Sequence, residues 1–184
     1  IHKVELRGEA LIRKDIFEKI NKARQEANDQ IFANPRNAAT GALRMKDPKE
    51  AAERGLEAFL YQMGYAVDNQ DNNIIERFHS HDESIHLLES LGFKTPLANA
   101  GTRQHLPATK TCGSIREVIE FCVNWQVYRD EYPYELDGMV VKVNSIELQE
   151  RCGYTSHHPR WAIAFKFKAR QATTRLRDVE FQVG

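Results

Sequence analysis

What this 184-residue sequence has little of narrows it first. It has no net charge, since 26 Lys and Arg balance 26 Asp and Glu. Bulk charge therefore gives no attraction to nucleic acid, and any polyanion contact must come from locally grouped arginines and lysines. Cysteine occurs three times, at Cys112, Cys122 and Cys152, an odd count with no Cys-x-x-Cys pair. That pattern argues against a disulfide framework or a structural zinc site, and for buried free thiols in a reducing cytoplasm. No apolar run approaches the length of a membrane span. The opening, IHKVELRGEA, has no signal-peptide apolar region, so a cytoplasmic protein is expected. There is no glycine-rich phosphate loop after a strand, no internal repeat and no low-complexity tract. The sequence also lacks an initiator methionine and starts directly in a strand-like pattern, as expected of a piece of something longer.

What is present describes a folded domain. The hydrophobic share of 41% suits a globular chain, and the length allows a real core in one domain with the edge of a second. Helix starts are marked by capping pairs. Asp15 with Glu18 predicts a helix to about Asn28, with Phe17, Ile20 and Ala27 along one face. Asp47-Pro48 with Glu50 predicts a short helix ending at Gly55. Ser80 with Glu83 predicts one ending at Gly92, and Ser114 with Glu117 one that turns Val118, Ile119, Cys122 and Trp125 inward. On this reading His79, His81 and His86 belong to a solvated helix start rather than a metal cluster. Strand patterns cover 4–7, 58–63, 139–143 and 161–167. Strands and helices do not alternate regularly, so the expected class is α+β with largely antiparallel sheets and flanking helices.

The strands carry an anomaly. In WAIAFKFK, Trp161, Ile163, Phe165 and Phe167 share a core face, while Ala162, Ala164, Lys166 and Lys168 share the other. In GMVVKV, Gly138, Val140 and Lys142 repeat that second face: small, apolar, then cationic. In AFLYQM, Phe59, Tyr61 and Met63 are expected together. Read singly, each lysine is an edge-strand residue that snorkels to water. Read together, beside small residues that leave space above a sheet, they point to a site that holds an anion such as a transferring phosphoryl group. Two further stretches are specialised. LRGEAL sets Gly8 between Arg7 and Glu9, where a strand glycine marks a bulge or a close approach. FANPRNAATGALR begins with an Asn34-Pro35 turn; if one helix follows, Arg36 and Arg44 stand about 12 Å apart, which suits two phosphates, or a phosphate and a backbone partner, rather than one phosphate, while two surface arginines on a tightly packed loop and helix fit these residues equally well.

Taken together, LRGEA, FANPRNAATGALR, LDGMVVKVN, LQERCGYTSHHPRWAIAFKF and DVEFQVG closely resemble the adenylation domain of bacterial NAD-dependent DNA ligases, over nearly the whole chain and in order. The resemblance implies the nucleotidyltransferase fold shared with capping enzymes, with residues 1–169 the C-terminal portion of the adenylation domain and 170–184 the start of an OB-fold domain. It implies an enzyme that uses NAD and a divalent ion, magnesium, held without a dedicated protein site, to seal nicks in duplex DNA through lysyl-AMP and DNA-adenylate intermediates. By motif, Glu9 would hold the adenylate ribose or assist the ion. Tyr61 would stack on adenine, with Val140 on its other face. Lys142 and Lys166 would contact the α-phosphate, and Asp137 would position the lysines and the ribose. Arg36, Arg44 and Arg129 would bind phosphates of the cofactor or the nick.

One departure matters. The family nucleophile lies in a Lys-x-Asp-Gly motif, and these 184 residues contain none: the only Asp-Gly is Asp137-Gly138, with Glu135 two residues earlier. The chain is therefore expected to be inactive alone in self-adenylation, and to work with the remaining ligase domains: N-terminal, OB-fold, zinc-binding and helical. Two other readings are another nucleotidyltransferase, ATP-dependent or capping-type, and a catalytically inactive nucleotide-binding fragment.

Overall fold

The computed structural model describes residues 2–97, 107–169, 171 and 173–181. Its elements run β1 (Lys3–Leu11), α1 (Lys14–Glu26), α2 (Pro35–Leu43), α3 (Pro48–Glu53), β2 (Glu57–Val67), a 3-10 turn (Ile75–Arg77), α4 (His81–Ser90), α5 (Ile115–Tyr128), β3 (Gly138–Lys142), α6 (Ile146–Cys152) and β4 (Ala162–Lys166). Two antiparallel ribbons, β1–β2 and β3–β4, are flanked by helices, the expected α+β arrangement. Among the described residues, no helix is long and apolar enough to cross a membrane.

Helix starts follow local chemistry. The side chains of Asn34, Asp47, Ser80, Ser114 and Ser145 each accept a backbone N–H of the first turn, satisfying donors that a helix end leaves unpaired. Asp15 does not cap α1. The N-cap is Arg13, which has no capping side chain, and the Asp15 carboxylate instead pairs with Arg13 at 2.9 Å. Within the first turn of the helix, Asp15 serves its positive end electrostatically. Ala27 is the C-cap of α1 and is exposed, so Phe17 and Ile20, but not Ala27, face the core, joined there by Ile16.

Three apolar clusters hold these elements. Phe59, Trp125, Tyr132, Tyr134 and Phe167 form one; Met63, Ala66, Ile74, Ile85 and Leu88 a second; Ile12, Ala38 and Ala39 a third. Strand β2 contributes to the first two and so joins them. Several inward expectations fail where a face extends past its neighbours. Ile163 is 69% exposed although Phe165 and Phe167 on the same face pack on the aromatic cluster, and Ile119 is 55% exposed on α5. Of the cysteines, which are all free, only Cys122 is buried; Cys112 is half-buried and Cys152 exposed.

Candidate active site

The β3–β4 register builds the floor. Gly138 lies opposite Lys166, Val140 opposite Ala164, and Lys142 opposite Ala162. Opposed residues on paired strands point to the same side, so Lys142, Val140, Ala162, Ala164, Gly138 and Lys166 share one face. Four residues separate the two lysine positions, about 13 Å along the ribbon. The lysines thus stand at opposite ends of a small, apolar strip.

At the Lys142 end, β1 and β2 form the adjoining wall. Their pairing shifts register between Arg7 and Gly8, leaving Tyr61 without a partner in the ladder. Gly8 makes this possible: a Cβ there would lie 2.5 Å from the Phe59 carbonyl oxygen. The bulge turns Tyr61 out of the row it was expected to share with Phe59 and Met63. Those two are buried, whereas Tyr61 is 38% exposed. Lys142 Nζ lies 5.0 Å from the Tyr61 ring centroid and donates to the Tyr61 carbonyl at 3.2 Å. Glu9, Tyr61, Val140 and Lys142 line one cleft of about 860 Å³, together with His81 and Asp82.

His81 is a residue of the cleft that sequence reasoning missed. Its backbone N–H donates to the Asn144 carbonyl at 2.7 Å, and the Asp82 N–H donates to Asn144 Oδ1 at 3.0 Å. These bonds dock the start of α4 on the end of β3 and set His81 Nε2 3.1 Å from Lys142 Nζ. His79 and His86 are exposed, the latter beside Asp82 and Glu89. Burial first, and the Lys142 charge second, bring the His81 pKa down to about 4, against an opposing effect of the Tyr61 backbone. Burial brings Lys142 down to about 8. Near neutral pH the imidazole is therefore neutral and the lysine charged.

This has a measurable consequence. Unfolded His81 takes up its proton near its ordinary value of 6.5, whereas folded His81 does so only near 4. Its contribution is complete above pH 6.5, falls as pH drops towards 4, and stays lost below that. The expected slope is at most about 1.4 kcal/mol per pH unit. Denaturant unfolding at several pH values should show it, and His81→Gln should flatten the curve in that window. Parallel curves for the two proteins would show that His81 titrates normally in the fold.

The remaining candidates fall elsewhere. Asp137 is exposed and sits at the Lys166 end, where Arg36 approaches its carboxylate at 3.4 Å. With both groups exposed, this pair contributes little stability but gathers Arg36, Asp137 and Lys166 at one place. Arg44 caps the far end of α2 and is exposed. Arg129 donates to the Lys168 carbonyl at 3.1 Å and lies 5.9 Å from the Phe167 ring centroid, on the core side of β4 rather than the lysine side. The small side chains of the strip between the two lysines leave its surface open, with Val140 63% exposed, which is room for a planar base. For a metal ion the fit is poor: among the described residues, no three His, Cys, Asp or Glu side chains are grouped to hold one.

Antiparallel ribbons with flanking helices, and a lysine-bearing apolar floor beside a cleft, are consistent with the class of nucleotidyltransferase adenylation domains. Comparison with known proteins narrows this. The family model for the NAD-dependent DNA ligase adenylation domain matches residues 1–170, and the chain belongs to that family. It is 56% identical over 184 residues to a DNA ligase of Sulfurihydrogenibium azorense, covering all of this chain and 25% of that protein. It is 53% identical over 180 residues to a DNA ligase of Aquifex aeolicus, covering 98% and 23%. A DNA ligase of Hydrogenobaculum sp. is 46% identical over 184 residues, with 100% and 24% covered. The chain thus spans about a quarter of the length of these relatives.

Proposed function

We propose that this chain supplies the nucleotide floor of an NAD-dependent DNA ligase, an enzyme that passes AMP from NAD to a lysine, then to the 5′ phosphate at a nick in duplex DNA, before the strands are joined. The observation that carries this reading is the β3–β4 register, which sets Lys142, Val140, Ala162, Ala164 and Lys166 on one face. In this reading the adenine lies between Tyr61 and Val140, and Glu9 holds the ribose. The α-phosphate lies between Lys142 and Lys166, whose flexible stems reach towards it from the two ends of the strip. Asp137 orients the Lys166 end, while Arg36 and Arg44 meet phosphates about 12 Å apart on α2. Arg129 reaches a phosphate only by leaving its Lys168 and Phe167 contacts. NAD supplies an activated adenylyl group; these side chains bind it, orient it and offset the charge on its phosphate. Magnesium would be held largely by phosphate oxygens. Residues 1–169 are read as the C-terminal portion of the adenylation domain and 170–184 as the start of an OB-fold, where Leu176, Val179 and Phe181 stand exposed at 76%, 53% and 91%. A role in DNA replication and repair, in the cytoplasm, fits this activity.

Two assays test the proposal. The intact protein carrying this segment should seal nicked duplex DNA with NAD and not with ATP; sealing with ATP alone would overturn it. The 184-residue chain, incubated with NAD labelled in its adenylate half, should retain no covalent AMP on a denaturing gel, because its Lys-x-Asp-Gly lysine is absent. A labelled band would place the nucleophile among the lysines present.

A further inference from the structure

Lys142 is held by more than the strand that bears it. Its ammonium meets the Tyr61 carbonyl at 3.2 Å, the Tyr61 ring at 5.0 Å and His81 Nε2 at 3.1 Å. The carbonyl and ring belong to β2, while the imidazole comes from α4, whose first turn is fixed to Asn144 just beyond β3. We propose that His81 is a positioning residue for Lys142: an unprotonated Nε2 accepts a hydrogen bond from the ammonium and holds it at the edge of the nucleotide floor.

The chemistry sets a specific demand. An ammonium has only protons to offer, so Nε2 must be the bare nitrogen and the ring proton must sit on Nδ1. A protonated imidazolium has no lone pair, and in this place would repel the lysine. The neighbours bear on which form wins. Asp82, on the first turn of α4, and Glu9, on β1, line the same cleft and favour positive charge near it. Glu150, on α6, lines a small cavity that His81 also lines. Burial and the adjacent lysine cation act against a charged ring, outweigh the Tyr61 backbone hydrogen bond that favours it, and keep His81 neutral. The consequence for the chemistry is preorganisation. A four-carbon stem leaves a free lysine many rotamers, whereas one held by a carbonyl and an imidazole meets an incoming phosphate with less ordering to do. The assignment of a phosphate to this site rests on the function proposed above; the His81–Lys142 contact does not.

The test reads the two side chains directly, without nucleotide, in the 184-residue chain. Nitrogen-15 NMR at pH 6 to 7 should find the His81 ring as the Nδ1–H tautomer. An Nε2–H tautomer would overturn the proposal without any variant having to fold. The Lys142 ammonium should give a slowly exchanging signal that disappears in His81→Phe, which keeps a ring but offers no acceptor, and returns in His81→Gln. Equal protection in the Phe variant would also overturn it. AMP is then added. A shift of the Lys142 signal supports the nucleotide reading, whereas no shift, with the Nδ1–H tautomer intact, would sink that reading and leave the positioning role standing.

Discussion

Replacing Lys142 with alanine in the intact ligase is expected to lower adenylyl transfer at least about a hundredfold while leaving the fold as stable as before. The rate loss follows from preorganisation. A donor already aimed at developing charge, in a partly dehydrated cleft, typically contributes a factor of about 10² to 10³ when it is the only group removed. On the function proposed above Lys142 is such a donor: burial has brought its pKa down to about 8, and three groups fix its ammonium. Stability should hold because that burial is a cost to the folded state. Alanine removes a partly desolvated cation from the cleft that Tyr61 also lines. Lys166→Ala should act in the same direction, from an exposed position at the other end of the strip. Adenylation kinetics with NAD, run beside thermal melts of the same samples, separate the two effects. Near-normal kinetics for Lys142→Ala would defeat its assignment to the phosphate, and a large drop in melting temperature would show that the lysine is structural.

How much of this was legible in the sequence depends on the range of the interaction. Helix starts are local, and a Ser or Asp followed three residues later by Glu announced α3, α4 and α5. The same logic misplaced Asp15, where the competing Arg13 guanidinium captured the carboxylate. It also passed over α6, whose Ser145 cap follows β3 within three residues. The lysine floor was legible because period two is a property of any strand, and both β3 and β4 carry the same small-apolar-cationic sequence. Tyr61 was half legible: Gly8 announced a bulge, but which neighbour the bulge would expel depends on the pairing of two strands about fifty residues apart. Ile163 went wrong for a related reason. Alternation tells which side of a ribbon a residue is on, not whether that side is covered at that point. His81 was beyond reach. Its partner lies 61 residues away, and within its own segment its position at a helix start reads as solvated.

Gly138→Ala is expected to do what Lys142→Ala does not: remove stability and function together. An added Cβ would stand 2.3 Å from the Phe165 carbonyl oxygen and 2.9 Å from the Lys166 Cα. Both are backbone atoms of the facing strand and cannot swing aside. The backbone angles at Gly138 are not the obstacle, because its φ is not among the positive ones. The limit is the approach of the strands. Relieving it means spreading β3 from β4 where the Phe167 N–H bonds the Asp137 carbonyl at 2.9 Å, which withdraws Phe165 and Phe167 from the aromatic cluster. Overpacking of this kind costs about 1 to 3 kcal/mol, and more where only backbone can yield; about 3 kcal/mol is expected here. The same spreading separates Lys166 from the strip that carries Lys142, so adenylation should fall even in the protein that remains folded. Gly92→Ala is a fitting control. It has φ +88° but nothing within 4 Å of the new Cβ, so its cost is left-handed strain of about 1 to 2 kcal/mol, far from the floor. Denaturant unfolding of the two variants should rank Gly138→Ala as the more destabilised, with only it losing activity at temperatures where both are folded. If Gly138→Ala melts with the wild type, β3 and β4 do not approach as closely as the floor requires.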